Sequence, residues 1–482
     1  MAESPEQQLK RILLRGRKDP VWFVENVLAS PLWDAQREIL DAIWKYDRVA
    51  VRAAHSVGKT YTAARAALTF LSVYPGSRVL TTAPTFAQVQ RLLWSEISSA
   101  YGKSKIPLGG ELLNTELRMG PNWFAVGLST DSPDRFQGHH AEHILIILDE
   151  ATGIDANIWL AAEANRAGGN AKILAIGNPT RPSGPFYDCF TRSRDLWHCL
   201  SISAFDSPNL AKYPTPRHLR EADEEDLKRN PFPGLTSRQW VMDRLHEWGE
   251  DSPLFQSRVL GAFPDHSDDA VITLDAAERA AELWDKNRDL KVSPPSKEDP
   301  WIAGLDLAGP GKDETVLIIR RGNRVAEMLS TTQPDPRGWV LQKLLKYAPY
   351  LIVYADEVGL GYHAVSHIRD QGIKVIGVNV GKAPSAPKRF FNLRAELLWG
   401  LREKFDKGEV EIPRDEQLIS QLTSLKYNIT PRGQIAMETK TSMQKRGVKS
   451  PDKADALYLC FAQSPKLKIR HRSRSKSPGV IA

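Results

Sequence analysis

Short uninterrupted aliphatic stretches alternate with amphipathic helices through the first half of the chain. Val49-Ala50-Val51, Arg78-Val79-Leu80-Thr81, Ile144-Leu145-Ile146-Ile147-Leu148 and Ile173-Leu174-Ala175-Ile176 read as strands buried on both faces, as in a parallel sheet. A further short strand falls near Asn122 to Gly127. Between these lie helical patterns: Pro5 to Leu28 with Trp22, Phe23, Val27 and Leu28 inward, a helix through Ile39, Leu40, Ile43 and Trp44, the alanine-rich run Ala63 to Leu68, and a helix from Phe86. Strand and helix alternate, so this half is α/β, with ligands expected at the carboxyl ends of the strands.

The pattern loosens from Asp195 to about Ser267, where Trp240, Leu245 and Trp248 mark a small helical unit. Composition shifts again at Ser293-Pro294-Pro295-Ser296-Lys297, a linker or edge loop. Beyond it Trp301 to Asp306, Thr315 to Ile319 and Arg324 to Met328 predict an antiparallel meander. Leu351 to Asp356 and Ile373 to Val378 follow as further strands, with a helix from about Trp339 to Tyr347 between meander and strand. The expected organisation is therefore one α/β unit over 1–266, with 195–266 as its small helical subdomain. A linker over 267–298, a second α/β unit over 299–465 and a tail over 466–482 complete it.

Composition narrows the class. A chain of 482 residues is too long for one ordinary core. No apolar run is long enough to span a bilayer, and the polar start, Met1 to Lys10, is unlike a signal peptide, so no membrane partner is expected. Cys189, Cys199 and Cys460 lack disulfide-framework or zinc spacing. The net charge of +7 is concentrated in Lys466, Lys468, Arg470, Arg472, Arg474 and Lys476, a tail that cannot bury a core and that either binds polyanions or merely solvates the chain.

Candidate chemistry sits at the strand ends. After Val49-Ala50-Val51 the chain reads Arg52-Ala53-Ala54-His55-Ser56-Val57-Gly58-Lys59-Thr60 and enters a helix, the order of a P-loop. In such a loop the backbone N–H groups surround phosphate, the lysine, here Lys59, is expected to reach the β/γ-phosphates, and the hydroxyl, here Thr60, to bind Mg²⁺. Ala53 replaces the first glycine of that spacing, so it must keep negative φ or carry strain. Asp149 and Glu150 follow the aliphatic strand, one to hold Mg²⁺ and the other to orient and deprotonate water. Asn178, in Gly177-Asn178-Pro179-Thr180, is placed to sense the γ-phosphate. Arg135 is the first candidate for a cation delivered late to that phosphate, and Arg52 the second. Trp33 and Gln36 either stack on and hydrogen-bond a base or simply pack.

In the second half Asp306 and Asp356 end strands, and Asp452 and Asp455 stand one helical turn apart. Clustered carboxylates repel unless a divalent cation neutralises them. Paired Mg²⁺ or Mn²⁺ ions in such a cluster cut phosphodiesters. Asp313 is either a further ligand or a turn residue.

Together RAAHSVGKT, TTAPT, the DRFQG loop ahead of LIILDEA, GNPT, GLDLAGPGKDET and SPDKADALYLC resemble the large terminase subunit of tailed bacteriophages, over roughly Leu32 to Gln463. The resemblance implies an N-terminal P-loop ATPase domain of the ASCE type with a mainly parallel sheet, and a C-terminal RNase H-like nuclease domain. It implies ATP and Mg²⁺, with Mn²⁺ as an alternative at the nuclease site. Ser56, Val57, Gly58, Lys59 and Thr60 map to the nucleotide loop, Asp149 and Glu150 to Walker B acid and catalytic base, and Arg135 to the trans-acting arginine. Asp306, Asp356, Asp452 and Asp455 map to nuclease metal ligands, with Lys453 where the family often shows a second adjacent acid. Implied partners are double-stranded DNA, portal protein and procapsid, the small terminase subunit and further copies of the chain in a ring, all in the host bacterial cytoplasm. A repair helicase fused to a nuclease and a catalytically silent DNA-binding assembly protein are the rival readings.

Overall fold

The computed structural model describes residues 4–129, 136, 138–139, 141–168, 171–264, 269–290, 294–308, 313–357, 361–446 and 448–462. Arg135 and the basic tail lie outside the described residues. The chain divides into two compact units, Met1–His266 and Ser267–Ala482.

The first unit is built on eight strands: β1 (Arg48–Ala53), β2 (Arg78–Thr82), β3 (Glu111–Leu112), β4 (Glu116–Gly120), β5 (Trp123–Gly127), β6 (Ile144–Asp149), β7 (Ala171–Gly177) and β8 (His198–Ile202). Their order is β3-β4-β5-β2-β6-β7-β1-β8. From β5 to β8 every neighbouring pair is parallel, and β3 and β4 add an antiparallel edge. Every residue of β6 is buried, as its aliphatic run requires of a central strand. The ASCE arrangement is visible in the order: β7 lies between the strand that opens into the P-loop and the strand that ends in Asp149. His198–Ile202, in the stretch where the pattern loosens, is a parallel strand beside β1.

The second unit carries β9 (Trp301–Asp306), β10 (Thr315–Arg321), β11 (Arg324–Thr331), β12 (Leu351–Asp356) and β13 (Lys374–Val378), in the order β11-β10-β9-β12-β13. The meander is antiparallel, and β12 and β13 continue parallel to β9, which is the RNase H-like order. A small hairpin, β14 (Tyr427–Ile429) with β15 (Ile435–Met437), lies outside this sheet. Much of 267–298, expected as linker, is folded into this unit. The helix Leu274–Lys286 buries Leu274, Ala276, Ala277, Ala280 and Ala281, and its Glu278 pairs with Arg414 at 2.7 Å. The alanine stripe makes that helix a packing element, a signal obscured by the Pro/Ser-rich segment behind it.

The helix Asp452–Cys460 lies on β9 because Gly304 leaves room for it. A Cβ at Gly304 would stand 2.1 Å from the Ala456 carbonyl oxygen and 2.4 Å from the Cys460 nitrogen. No rotamer change relieves a clash with backbone, so Gly304→Ala is expected to destabilise the second unit by about 3 kcal/mol. A denaturant melt of the full chain that leaves this unit's midpoint unchanged would contradict the packing described.

Candidate active sites

The first site forms where β1, β6 and β7 end. Ala53 closes β1 with negative φ; the positive φ of the loop falls on Ser56 (54°) and Gly58 (84°). The missing glycine therefore costs no strain at position 53. Gly58 is needed for its positive φ, and a Cβ there would lie 2.1 Å from the Gln36 side-chain nitrogen and displace it. Gln36 is buried, its Oε1 accepting from the Trp33 backbone and its Nε2 reaching the Gly58 carbonyl at 3.5 Å. Trp33 Nε1 donates to the Val57 carbonyl at 3.2 Å. Both residues thus brace the loop.

Lys59 Nζ donates to the Ala54 carbonyl at 2.9 Å, and burial pulls its pKa below the usual lysine value. Thr60 Oγ1 donates to Asp149 Oδ2 at 3.0 Å, joining the two expected metal-binding side chains directly. Burial, and then the neighbouring Glu150 charge, push the Asp149 pKa up to about 7 against the pull of Thr60 and Lys59. Glu150 follows with φ 50°, a left-handed conformation that swings its side chain out of the strand line. Asn178 Nδ2 donates to the Ala53 carbonyl at 2.6 Å, and its own carbonyl accepts from Thr152 Oγ1. It therefore ties the base of the P-loop to the turn after Glu150. From the helical subdomain, Thr236 donates from its backbone to Ser56 and from its hydroxyl to His55, clamping the loop's outer side.

A cavity of about 370 Å³ is lined by His55, Ser56, Gly58, Lys59, Thr60, Glu150 and Asn178. Arg91 and Glu96 complete one wall. Arg52 lies elsewhere: Nε donates to Ser201 Oγ at 2.7 Å, and the guanidinium sits 5.4 and 5.6 Å from the rings of Phe190 and Phe263. Arg52 is not among the residues that line this cavity. Phe136, next to Arg135, is fully buried, and its carbonyl accepts from Asn165.

In the second unit Asp306 ends β9, Asp356 ends β12, and Asp452 and Asp455 occupy the first turn of the helix that lies on β9. Burial, then repulsion from Asp455, Asp452 and Asp356, hold the Asp306 carboxyl well above the usual range, with Lys440 opposing. The other three expected acids thus all act on Asp306. Asp455, 4% exposed, is held by Lys440 Nζ at 2.8 Å and faces Arg394 Nη2 at 3.6 Å. Asp452 accepts from the Glu314 backbone at 3.0 Å, and burial raises its pKa. Lys453 turns away, donating to Asp415 at 2.9 and 3.0 Å, so it does not stand among the acids. Asp313 adds repulsion to Asp452. Among the described residues no three His, Cys, Asp or Glu side chains are spaced to close on one ion as they stand. The positive charge at the cluster is supplied by Lys440 and Arg394, which sequence reading missed because each lies on a different element from the aspartates.

The chain thus joins the loop after β1 to the acid that ends β6 in its first unit, and gathers carboxylates on an RNase H-like sheet in its second. The chain is similar along nearly its whole length to a large terminase subunit. The "Probable terminase, large subunit" of Enterobacteria phage P7 is 25% identical over 92% of this chain and 88% of its own length. No family model matches. Among solved structures, the large terminase of bacteriophage HK97 is 14% identical over 92% of this chain and 99% of that chain, with a TM-score of 0.38. That of thermophilic bacteriophage D6E is 12% identical over 89% and 98%, at 0.39. A nuclease domain of the large terminase subunit of bacterial virus Sf6, with manganese, is 18% identical over 40% of this chain and 99% of that domain, at 0.36. The strand orders given above carry the fold assignment, not these superpositions. Among the described residues no helix is long and apolar enough to cross a membrane.

Proposed function

We propose that the chain is a phage terminase large subunit, using ATP in its first unit to move double-stranded DNA into a procapsid and cutting concatemeric DNA with its second. The observation that carries this is the pairing of two phosphate-handling centres, Thr60 bonded to Asp149 in one unit and Asp306 in the field of Asp356, Asp452 and Asp455 in the other. In the first, Lys59 and the loop amides bind the phosphates, Thr60 and Asp149 hold Mg²⁺, Glu150 orients and deprotonates water, and Asn178 passes the state of the site to neighbouring segments. Arg135 is the trans-acting arginine of this proposal. The grip on DNA is directed at phosphates, because a motor must advance along any sequence. Portal protein, small subunit and a ring of further copies are the proposed partners.

The second centre suits a hard divalent cation. Its donors are carboxylate oxygens, and Asp306 is buried among like charges that Lys440 only partly offsets. Asp306, Asp356, Asp452 and Asp455 are the residues that would hold Mg²⁺ or Mn²⁺, which when bound supplies an activated water and stabilises the leaving oxygen. Arg394 and Lys440 fix Asp455 in place.

The full chain is expected to hydrolyse ATP faster with DNA present and to nick or linearise plasmid in Mn²⁺, and chelation by EDTA should stop both. A preparation that binds DNA but shows neither activity would favour the silent assembly reading. Lys440→Ala is a further check. Lys440 is half exposed, so its loss costs less than a fully buried pair, about 1–2 kcal/mol without metal. Because a divalent cation replaces the missing charge, Mn²⁺ should restore the melting temperature to the parent's value.

A further inference from the structure

Resting on the nucleotide-site reading above, we propose that Arg91 is a catalytic residue that contacts the γ-phosphate of ATP bound to its own chain. The segment after β2 runs as a short helix, Phe86–Gln88, a π-turn, Val89–Leu93, and the helix Trp94–Gly102. A π-turn inserts an extra residue into a helix and is found often at functional sites. Here it divides the segment into two sides. Val89, Leu93, Trp94 and Ile97 are fully buried, and Trp94 Nε1 donates to Thr81 Oγ1 at 3.0 Å. The packing is tight, since a Cβ at Gly127 would stand 2.6 Å from both Trp94 and Val89.

The other side faces the cavity that contains Lys59, Thr60 and Glu150, and carries Arg91 and Glu96 into it. This wall is locked to the P-loop helix (Lys59–Val73) through Arg65. That arginine is 3% exposed, ion-paired with Glu96, stacked 3.5 Å over the Tyr61 ring, and bonded through Nε to Ser30. Arg65 is therefore occupied as a brace.

Arg91 differs: among the described residues it makes no hydrogen bond or ion pair, and it is exposed in the cavity. A planar, permanently charged donor free to pair bidentately stands in the same cavity as the water-orienting Glu150. Charge developing on the γ-phosphate is stabilised by each cation that reaches it, and Arg91 stands in the same chain as Lys59, beside any arginine delivered in trans.

The test is titration of the full-length chain with ATPγS and with ADP in Mg²⁺, beside steady-state ATP hydrolysis. Arg91→Ala should lower kcat at least 100-fold and weaken ATPγS binding about tenfold while leaving ADP binding unchanged. Arg91→Lys, which keeps the charge, should recover part of kcat. Equal affinity changes for the two nucleotides, or a kcat within threefold of the parent, overturns the proposal. So does loss of nucleotide-free DNA binding with hydrolysis intact, which would make Arg91 a DNA contact. Lys59→Ala is the control: if it binds both nucleotides normally, the nucleotide-site reading fails whatever Arg91 does.

Discussion

Asp306→Asn is expected to reduce Mn²⁺-dependent plasmid cutting at least about 100-fold while DNA-stimulated ATP turnover stays within about twofold. The substitution keeps shape and removes charge. Burial raises the Asp306 pKa, and Asp455, Asp452 and Asp356 add repulsion that Lys440 opposes. Replacing Asp306 with a neutral amide relieves that repulsion, so the metal-free variant should melt no lower than the parent. It should also lose most of the stabilisation that divalent metal gives the parent, which for saturation at a hundredfold over Kd is about 2.7 kcal/mol. The two readouts move in opposite directions only if Asp306 holds metal. A variant that cuts as well as the parent, or that gains the same stability from Mn²⁺, removes Asp306 from the site.

Much of this arrangement was legible in the chain. Five consecutive aliphatics before Asp149 could only be a strand covered on both faces, and the P-loop spacing located Lys59 and Thr60 without an intact first glycine. The loss of that glycine proved harmless for a reason the spacing does not display: the left-handed positions are Ser56 and Gly58. β8 was not legible, because His198-Cys199-Leu200-Ser201-Ile202 carries neither an unbroken aliphatic run nor a clean alternation and lies inside a proline-rich, charged region. Nor were the cations of the sites. Arg394 and Lys440 reach Asp455 across long stretches of sequence, and Arg91 enters its cavity through a π-turn whose register no 3.6-residue pattern predicts. Charged side chains that meet only after folding leave no periodic trace.

Glu150→Gln is expected to abolish ATP turnover, by at least about 100-fold, with ATPγS binding retained and plasmid cutting in Mn²⁺ unchanged. Thr60 and Asp149 remain bonded in this variant, so the Mg²⁺-nucleotide site persists and only the base is lost. The backbone offers a second, independent readout. Glu150 holds φ at 50°, which a residue with a Cβ occupies at a cost of roughly 1 kcal/mol, and Gly177 leaves the space beneath it, since a Cβ there would lie 2.9 Å from the Ala151 nitrogen. Glu150→Gly relieves that strain, so its melting temperature should match or exceed the parent's although its turnover is lost. Strain retained at a position where the glycine variant is more stable and inactive is the signature of a side chain kept for chemistry. A Glu150→Gln chain that still turns over ATP at the parent rate would move the base elsewhere and leave the left-handed conformation without a chemical purpose.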